Sequence, residues 1–316
     1  LYLRIYLLGM PALGLYNFGN AVLSAAGDTK RPLYYLAFAG VVNVILNLFF
    51  VIVCHLGVAG VALASMISQF ISAFLILRAL LTGKEKYCLR LSEIRFDKRK
   101  AVGILQIGIP SAFQYSLFAF ANLFVQSSVN SFDHVLVEGN SAAANADPLV
   151  YDMMAAFYTA CSSFIAQNFG ARKKKRILQT YLICLFYSFI TSLVLGVGIY
   201  LARYPFLYLF TSDKAVVEAG ITRLSIMALS YSASAFMDAS IAASRGLGKT
   251  AVPTFVVVMG SCVFRIIWIY TIFAYFHTIQ SLYILYVFSW GITAIAENIY
   301  FFHVYRHTLT EKKELC

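Results

Sequence analysis

Ionised side chains are scarce in this sequence. Only 12% of its 316 residues are charged while 60% are hydrophobic, a balance that excludes an ordinary water-soluble domain and points to a chain crossing a membrane repeatedly. Signatures of chemistry are missing too. No G-x-x-x-x-G-K-[ST] phosphate loop, nucleophile elbow or H-E-x-x-H pair occurs. Neither ATP hydrolysis nor intramembrane proteolysis therefore has a centre, no enzyme activity is expected, and any work done must draw on ion gradients. The six cysteines include no C-x-x-C pair, and several stand inside apolar stretches as small hydrophobes, so no disulfide framework is inferred. His303 and His307, four apart without a carboxylate partner, read as surface histidines rather than metal ligands, and no metal or cofactor is expected.

What is present is apolar sequence in long blocks. A helix needs roughly 20 apolar residues to cross a bilayer, and about nine such blocks follow one another, near residues 1–26, 33–55, 58–81, 101–130, 136–169, 177–203, 216–244, 250–276 and 280–304. Stretches such as "LNLFFVIV" and "TSLVLGVGIYLA" are apolar all round. A transmembrane barrel would instead alternate in polarity, so helices are expected.

Lys and Arg orient the blocks, because loops rich in them stay cytoplasmic. Alternate breaks, at residues 28–32, 78–100, 171–176, 245–249 and the tail from His303, hold 20 of the 25 basic residues. The intervening breaks hold only Arg203, Lys214 and, near the next helix, Arg223. The first set is read as cytoplasmic, with the C-terminus on that side. Basic loops on one face also account for the net charge of +11 without a nucleic-acid partner.

One pattern recurs. "AAGDTKRPLYYL" at residues 25–36 and "GLGKTAVPTFVV" at residues 246–257 align as G-x-T-x-x-P, with Gly27, Thr29 and Pro32 against Gly248, Thr250 and Pro253, 221 residues apart. Ser68 and Ser289 keep the same offset. Each turn follows one long block and precedes two more, so blocks one to three read as a same-orientation copy of blocks seven to nine. Blocks four to six have no counterpart. With a first residue that is Leu rather than Met, the chain is expected to be the last nine helices of a twelve-helix transporter, with three spans in roughly 120 residues preceding Leu1.

Five segments resemble the multidrug and toxic compound extrusion (MATE) transporters in order and spacing. They are "YLRIYLLGMPALGLYNFGNAVLSAAGDTKRPLYYL", "NVILNLFFVIVCHLGVAGVALASMISQFISA", "GIPSAFQYSLFAFANLFVQSSVNSF", "GNSAAANADPLVYDMMAAFYTACSSFIAQNFGARK" and "FMDASIAASRGLGKTAVP". The resemblance covers the whole chain and implies an all-α, two-lobed membrane bundle built from parallel six-helix repeats around a central cavity. It also implies export of drugs or organic cations against inward flow of protons or sodium ions. In that scheme residues 1–82 are the second half of the N-terminal lobe, 83–100 a basic inter-lobe linker, 101–304 a complete C-terminal lobe and 305–316 a cytoplasmic tail. A multi-pass protein of the plasma membrane is implied, monomeric when full length, whose partners are the lipid bilayer and a small-molecule drug or organic cation.

Ionisable groups inside a bilayer usually face a bundle interior or water, which selects Asp147, Asp238, Arg265 and Glu297. Asp238 lies near the middle of a long span, with Ser234 one turn earlier on the same face. A carboxylate drawn out of water takes up a proton more readily and releases it when the cavity wets, while an ionised one binds sodium or a cationic drug. Asp238 is therefore the first candidate for coupling; a structural ion pair with Arg265 is the alternative. Asp147 precedes Pro148, which would kink the helix and open polar atoms to a cavity; a place in a wet outer vestibule or a helix cap competes. The family usually has a small residue after the acid, so Pro148 is a departure, as is Asp152 at a usually apolar position.

Gln114, Asn122, Gln126 and Asn130, spaced by fours and eights, form one polar stripe suited to a cavity wall or to hydrogen-bonded helix contacts. Some MATE transporters place a glutamate on this helix, yet no carboxylate stands between Arg99 and Asp133. Glu297 with Asn298, and Asn43 with Asn47, are weaker candidates, and Glu297 can equally reach for Arg306 or the basic interface. Aromatic residues make up 16% of the chain, enough to wall a pocket for flat cations as well as to serve packing and interface belts. Arg265 is read as the one clearly intramembrane arginine, which favours cationic cargo over a lipid or oligosaccharide flippase of the same superfamily. A reading from another class, an inactive membrane fragment or scaffold, predicts that Asp238→Asn is silent.

Overall fold

Backbone groups in hydrocarbon find no water, so an apolar chain must satisfy them within helices. The computed structural model describes residues 1–82 and 88–308, and no strand occurs among them. Residues 83–87 of the expected linker, and the tail from residue 309, lie outside the described residues. The first helices are α1 (Tyr2–Ala25), α2 (Lys30–Leu48, continued by a π-helical turn at Phe49–Val53), α3 (Gly57–Thr82) and α4 (Lys98–Val129). Next come α5 (His134–Ala144), α6 (Ala146–Gly170), α7 (Lys174–Leu201), the short α8 (Arg203–Tyr208) and α9 (Lys214–Gly246). α10 (Ala251–Val257), α11 (Phe264–Trp268) and α12 (Ala274–Phe276) form one rod through π-helical stretches at Val258–Val263 and Ile269–Phe273, and α13 (Ile279–His307) ends the fold.

Eight of the nine expected spans are long and apolar enough to cross a membrane. The first is a correction: α1 forms over 24 residues but is not among those eight. Arg4, three glycines, Asn17, Asn20 and Ser24 dilute its apolar character. The fifth expected span is split into α5 and α6 at Asn145. Pro148 has no N–H to give the Ala144 carbonyl, and the Asn145 side chain donates instead to the Ser141 and Ala142 carbonyls, each at 3.1 Å.

The helices fall into two compact units, Leu1–Phe96 and Asp97–Cys316. In the first, α1 and α2 pack on α3, with Tyr16, Leu23, Ile76 and Leu80 buried between them. In the second, α9 packs against α5, α6, α7 and α13. Burial covers 78% of its apolar window, against 22% for α7, so α9 is the axis of this unit. Small residues permit the close approach. A Cβ at Gly196 of α7 would fall on the Ala228 carbonyl oxygen of α9, and one at Gly139 of α5 would stand 2.8 Å from the backbone nitrogen of Gly220. Three carboxylates are used at helix starts: Asp97, Asp133 and Asp213 accept from Arg99, Leu136 and Ala215 N–H at 2.9, 2.9 and 2.8 Å.

The repeat is visible in the backbone. Gly27 and Gly248 both adopt left-handed φ, at +92° and +76°, a region that side-chain-bearing residues avoid. Asp28 N–H donates to Leu23 O at 2.9 Å and Lys249 N–H to Ser244 O at 3.0 Å, the same helix-ending motif at the 221-residue offset. The π-helical turns Phe49–Val53 and Ile269–Phe273 recur almost in register. His55 and His277, both at positive φ (54° and 48°), close the two rods alike.

Candidate functional site

A cavity of about 540 Å³ opens in the second unit between α4, α5, α6, α9 and α13. Charge lines it from both signs. Asp147, Asp152 and Asp238 share its wall with Arg223 and Arg245, and Tyr151, Tyr158, Tyr231, Tyr283, Tyr286 and Trp290 supply ring surface.

At one place in the wall α6 presents Asp147 from its first turn, where an acid also meets the favourable end of the helix dipole. Arg223 of α9, only 6% exposed, forms an ion pair with it and donates a second bond to Asn140 Oδ1 at 2.7 Å. The Tyr231 hydroxyl donates to the other Asp147 oxygen. Asp147 thus lies in the cavity wall as a fully engaged carboxylate, and Pro148 lines the cavity beside it.

Asp238 is placed differently. Three quarters of the way along α9 it receives one long bond, from the Tyr151 hydroxyl at 3.4 Å, while its Oδ2 is buried with no partner among the described residues. The alternative, an ion pair with Arg265, does not form among the described residues. The cation in electrostatic reach is Arg245, two turns further along the same helix, whose Nη2 donates to Gln114 Oε1 of α4 at 2.9 Å.

Arg265 is fully buried and bonded to neutral groups. Its Nη1 donates to Asn122 Oδ1 at 2.7 Å and its Nε to Ser289 Oγ at 3.4 Å, with the Phe118 and Tyr286 rings each 4.6 Å from the guanidinium. It stands one side-chain layer behind the wall, since Phe118, Asn122 and Tyr286 line the cavity and Arg265 does not. Glu297 also lies off the cavity, completely buried. Both its oxygens are unpartnered among the described residues, so it forms no hydrogen-bonded pair with Arg306.

The polar stripe of α4 divides. Gln114, Asn122 and Gln126 line the cavity, whereas Asn130 takes a bond from Gln126 at 2.9 Å and is outside the wall. Ser234 is buried and donates to the Tyr231 carbonyl at 2.9 Å, because a hydroxyl inside a helix bonds its own preceding turn. Asn298 joins a separate network in which the Tyr181 hydroxyl donates to its Oδ1 at 2.6 Å. Asn43 bridges Asn47 and Ser68 in the first unit.

Sequence reasoning did not name Arg223 or Arg245 as cavity residues, yet both line the wall. In sequence both stand near the ends of the block, beside the loops.

Comparison with known proteins places this arrangement. A model of the MatE family matches residues 110–271, just over half of the chain, and one described as lipid II flippase MurJ matches residues 2–131. The probable multidrug resistance protein YpnP of Bacillus subtilis is 33% identical over 177 residues, 56% of this chain and 39% of its own length. A protein of Shewanella oneidensis named as an FAD transporter is 25% identical over 224 residues, 69% of this chain and 49% of its own. The chain therefore spans half or less of the length of these curated relatives. A solved MOP superfamily transporter from Pyrococcus furiosus superimposes with a TM-score of 0.90 at 21% identity, over 97% of this chain and 69% of that one, which establishes the shared fold. The family match, the shared fold and the multi-pass helical architecture agree, and this chain belongs to the MATE family of membrane transporters.

Proposed function

We propose that the protein serves cation-coupled export of drugs or organic cations, opening its cavity alternately to the two sides of the plasma membrane with its C-terminus in the cytoplasm. Asp238 carries this reading. A carboxylate that exchanges ions must be free to take one, and Asp238 offers an unpartnered buried oxygen beside a cavity. Asp147 is already held by Arg223 and Tyr231, which suits a fixed wall element instead. A proton or a sodium ion would occupy Asp238 in one half of the cycle and leave it in the other, making room for positive charge on the cargo. The rings around it would grip a flat cation by contact and cation-π attraction.

Asp238→Asn removes the titratable group with little change of volume. In cells producing the protein from its gene, gradient-driven ethidium export is expected to fall to the level of cells without it. Export at the unsubstituted rate would sink the role given to Asp238.

A second reading has an observation of its own. Three buried or cavity-lining arginines, Arg223, Arg245 and Arg265, are more than a purely cationic cargo needs, and arginine forks suit phosphate. A lipid or oligosaccharide flippase would use them. Arg223 is neutralised by Asp147 and Arg245 shares its surroundings with Asp238 and Glu297, so export is preferred. In reconstituted vesicles, movement of a fluorescent phospholipid together with indifference to ethidium would reverse that preference.

A further inference from the structure

A buried cation in a membrane bundle is costly unless a counter-charge or a function repays it. Arg265 has no such counter-charge. The carboxylate ion pairs among the described residues involve Arg31, Arg90, Lys100, His134 and Arg223, and Arg265, wholly inaccessible, is in none of them. Guanidinium keeps its proton in proteins and carries five N–H donors. Two of these are used, towards Asn122 and Ser289, and Nη2 has no partner. The edge formed by Nη1 and Nη2 therefore presents unspent donors in the fork geometry that matches a carboxylate.

The surroundings hold this charge in place without cancelling it. Phe118 and Tyr286 cover its faces at 4.6 Å each, and Ser289 is itself anchored to the Gly260 carbonyl at 3.3 Å. π-Helical stretches lie on both sides of α11, a backbone form frequent at functional sites. Three of the residues that touch Arg265, namely Phe118, Asn122 and Tyr286, are also cavity wall. Arg265 itself is not in the wall, so a ligand reaches its fork only if one of these rings turns or the Asn122 bond is given up. On α9, Asp238 lines the same space with an unpartnered oxygen of the opposite charge.

The geometry points to Arg265 as an anion-binding subsite of the cavity, which accepts a carboxylate-type group on an aromatic, amphoteric cargo whose cationic part is taken by Asp238. This rests on the reading of the cavity as the cargo site. It refines the cargo from an organic cation to a molecule bearing both signs. Within the site the two charges divide the work: the carboxylate of the protein selects the cationic ring system, and the arginine selects the acidic substituent.

Rhodamine B, with a free carboxylate, and its ethyl ester, a plain cation on the same ring system, separate the two contributions. Binding of each to the purified protein, followed by fluorescence anisotropy, should show rhodamine B held about tenfold more tightly, as expected for a charge-assisted fork in a desolvated site. Arg265→Gln should bring the ratio of the two affinities to about one. Asn122→Asp should do the same by supplying the missing counter-charge where Asn122 now accepts from Nη1, without emptying the site. A purely structural role for Arg265 would weaken both dyes together and leave the ratio unchanged, and that result overturns the assignment. An unsubstituted protein that favours the ester, fails to discriminate or binds neither dye also overturns it. Gradient-driven export of the ester without discrimination would remove the anion subsite and leave the exporter standing. Arg265-dependent discrimination in binding, with neither dye moved by a gradient, would remove the exporter and leave the subsite.

Discussion

Replacing Asp147 by Asn is expected to lower stability by about 1–3 kcal/mol, less than the loss of a partner from a fully buried pair, because Arg223 is buried while the Asp147 side chain is 37% exposed and partly screened by solvent. The reason lies in what remains. Arg223 is 6% exposed and would keep only the Asn140 bond and the Tyr283 ring 5.8 Å from its guanidinium. An amide at position 147 still accepts a hydrogen bond but no longer cancels the charge, so the cation stays buried and uncompensated. Arg223→Met, in the Asp147→Asn background, removes the stranded charge and should recover most of the loss. Unfolding midpoints in detergent for the two single variants and the double variant form a cycle that isolates the pair. A single-variant cost too small to shift the midpoint, or a double variant no better than the single, would show that the pair is not what holds α6 to α9.

The second large effect concerns backbone rather than charge. At Gly196 an added Cβ falls on the Ala228 carbonyl oxygen and reaches its carbonyl carbon at 3.0 Å. Neither atom can rotate away as a side-chain tip would. Gly196→Ala should therefore push α7 off α9 and cost about 1–3 kcal/mol, with Gly196→Val costing more. Gly198, two residues along the same helix, has no neighbour within 4 Å of such a Cβ. Gly198→Ala should be neutral or slightly stabilising, because alanine is the better helix former. Equal melting temperatures for Gly196→Ala and Gly198→Ala would refute the close crossing of α7 and α9.

Much of the fold was legible because a membrane simplifies the code. Apolar blocks long enough to span can satisfy their backbone in one way, and the block order followed directly. Gly27 and Gly248 were legible too, since a left-handed helix end asks for glycine and the following proline marks where the next rod begins. α1 was overestimated because block length was read without weighing its glycines and amides. The candidate site was legible residue by residue but not as partnerships. Asp147 and Asp238 looked alike in sequence, both acids in apolar surroundings. What separates them is Arg223, which is 76 residues from one of them along the chain and adjacent only after α9 has packed against α6. The alternative pairing of Asp238 with Arg265 fails for a related reason: opposite charges invite pairing on paper, whereas Asn122 of α4 occupies the place beside Arg265. Ser234 shared a helix face with Asp238 and still turned to its own backbone, a preference that periodicity does not encode.

Arg223 and Arg245 stand 22 residues apart on α9, about 33 Å along a straight helix. One is fastened to α6 through Asp147 and the other to α4 through Gln114. α9 is therefore a beam pinned near both ends, with Asp238 between the pins. It cannot slide along its axis past α6 or α4 while both fastenings hold, so any axial travel of this helix has to begin with the release of one of them. The order of release, rather than the length of the travel, would then decide which of the two helix contacts parts first.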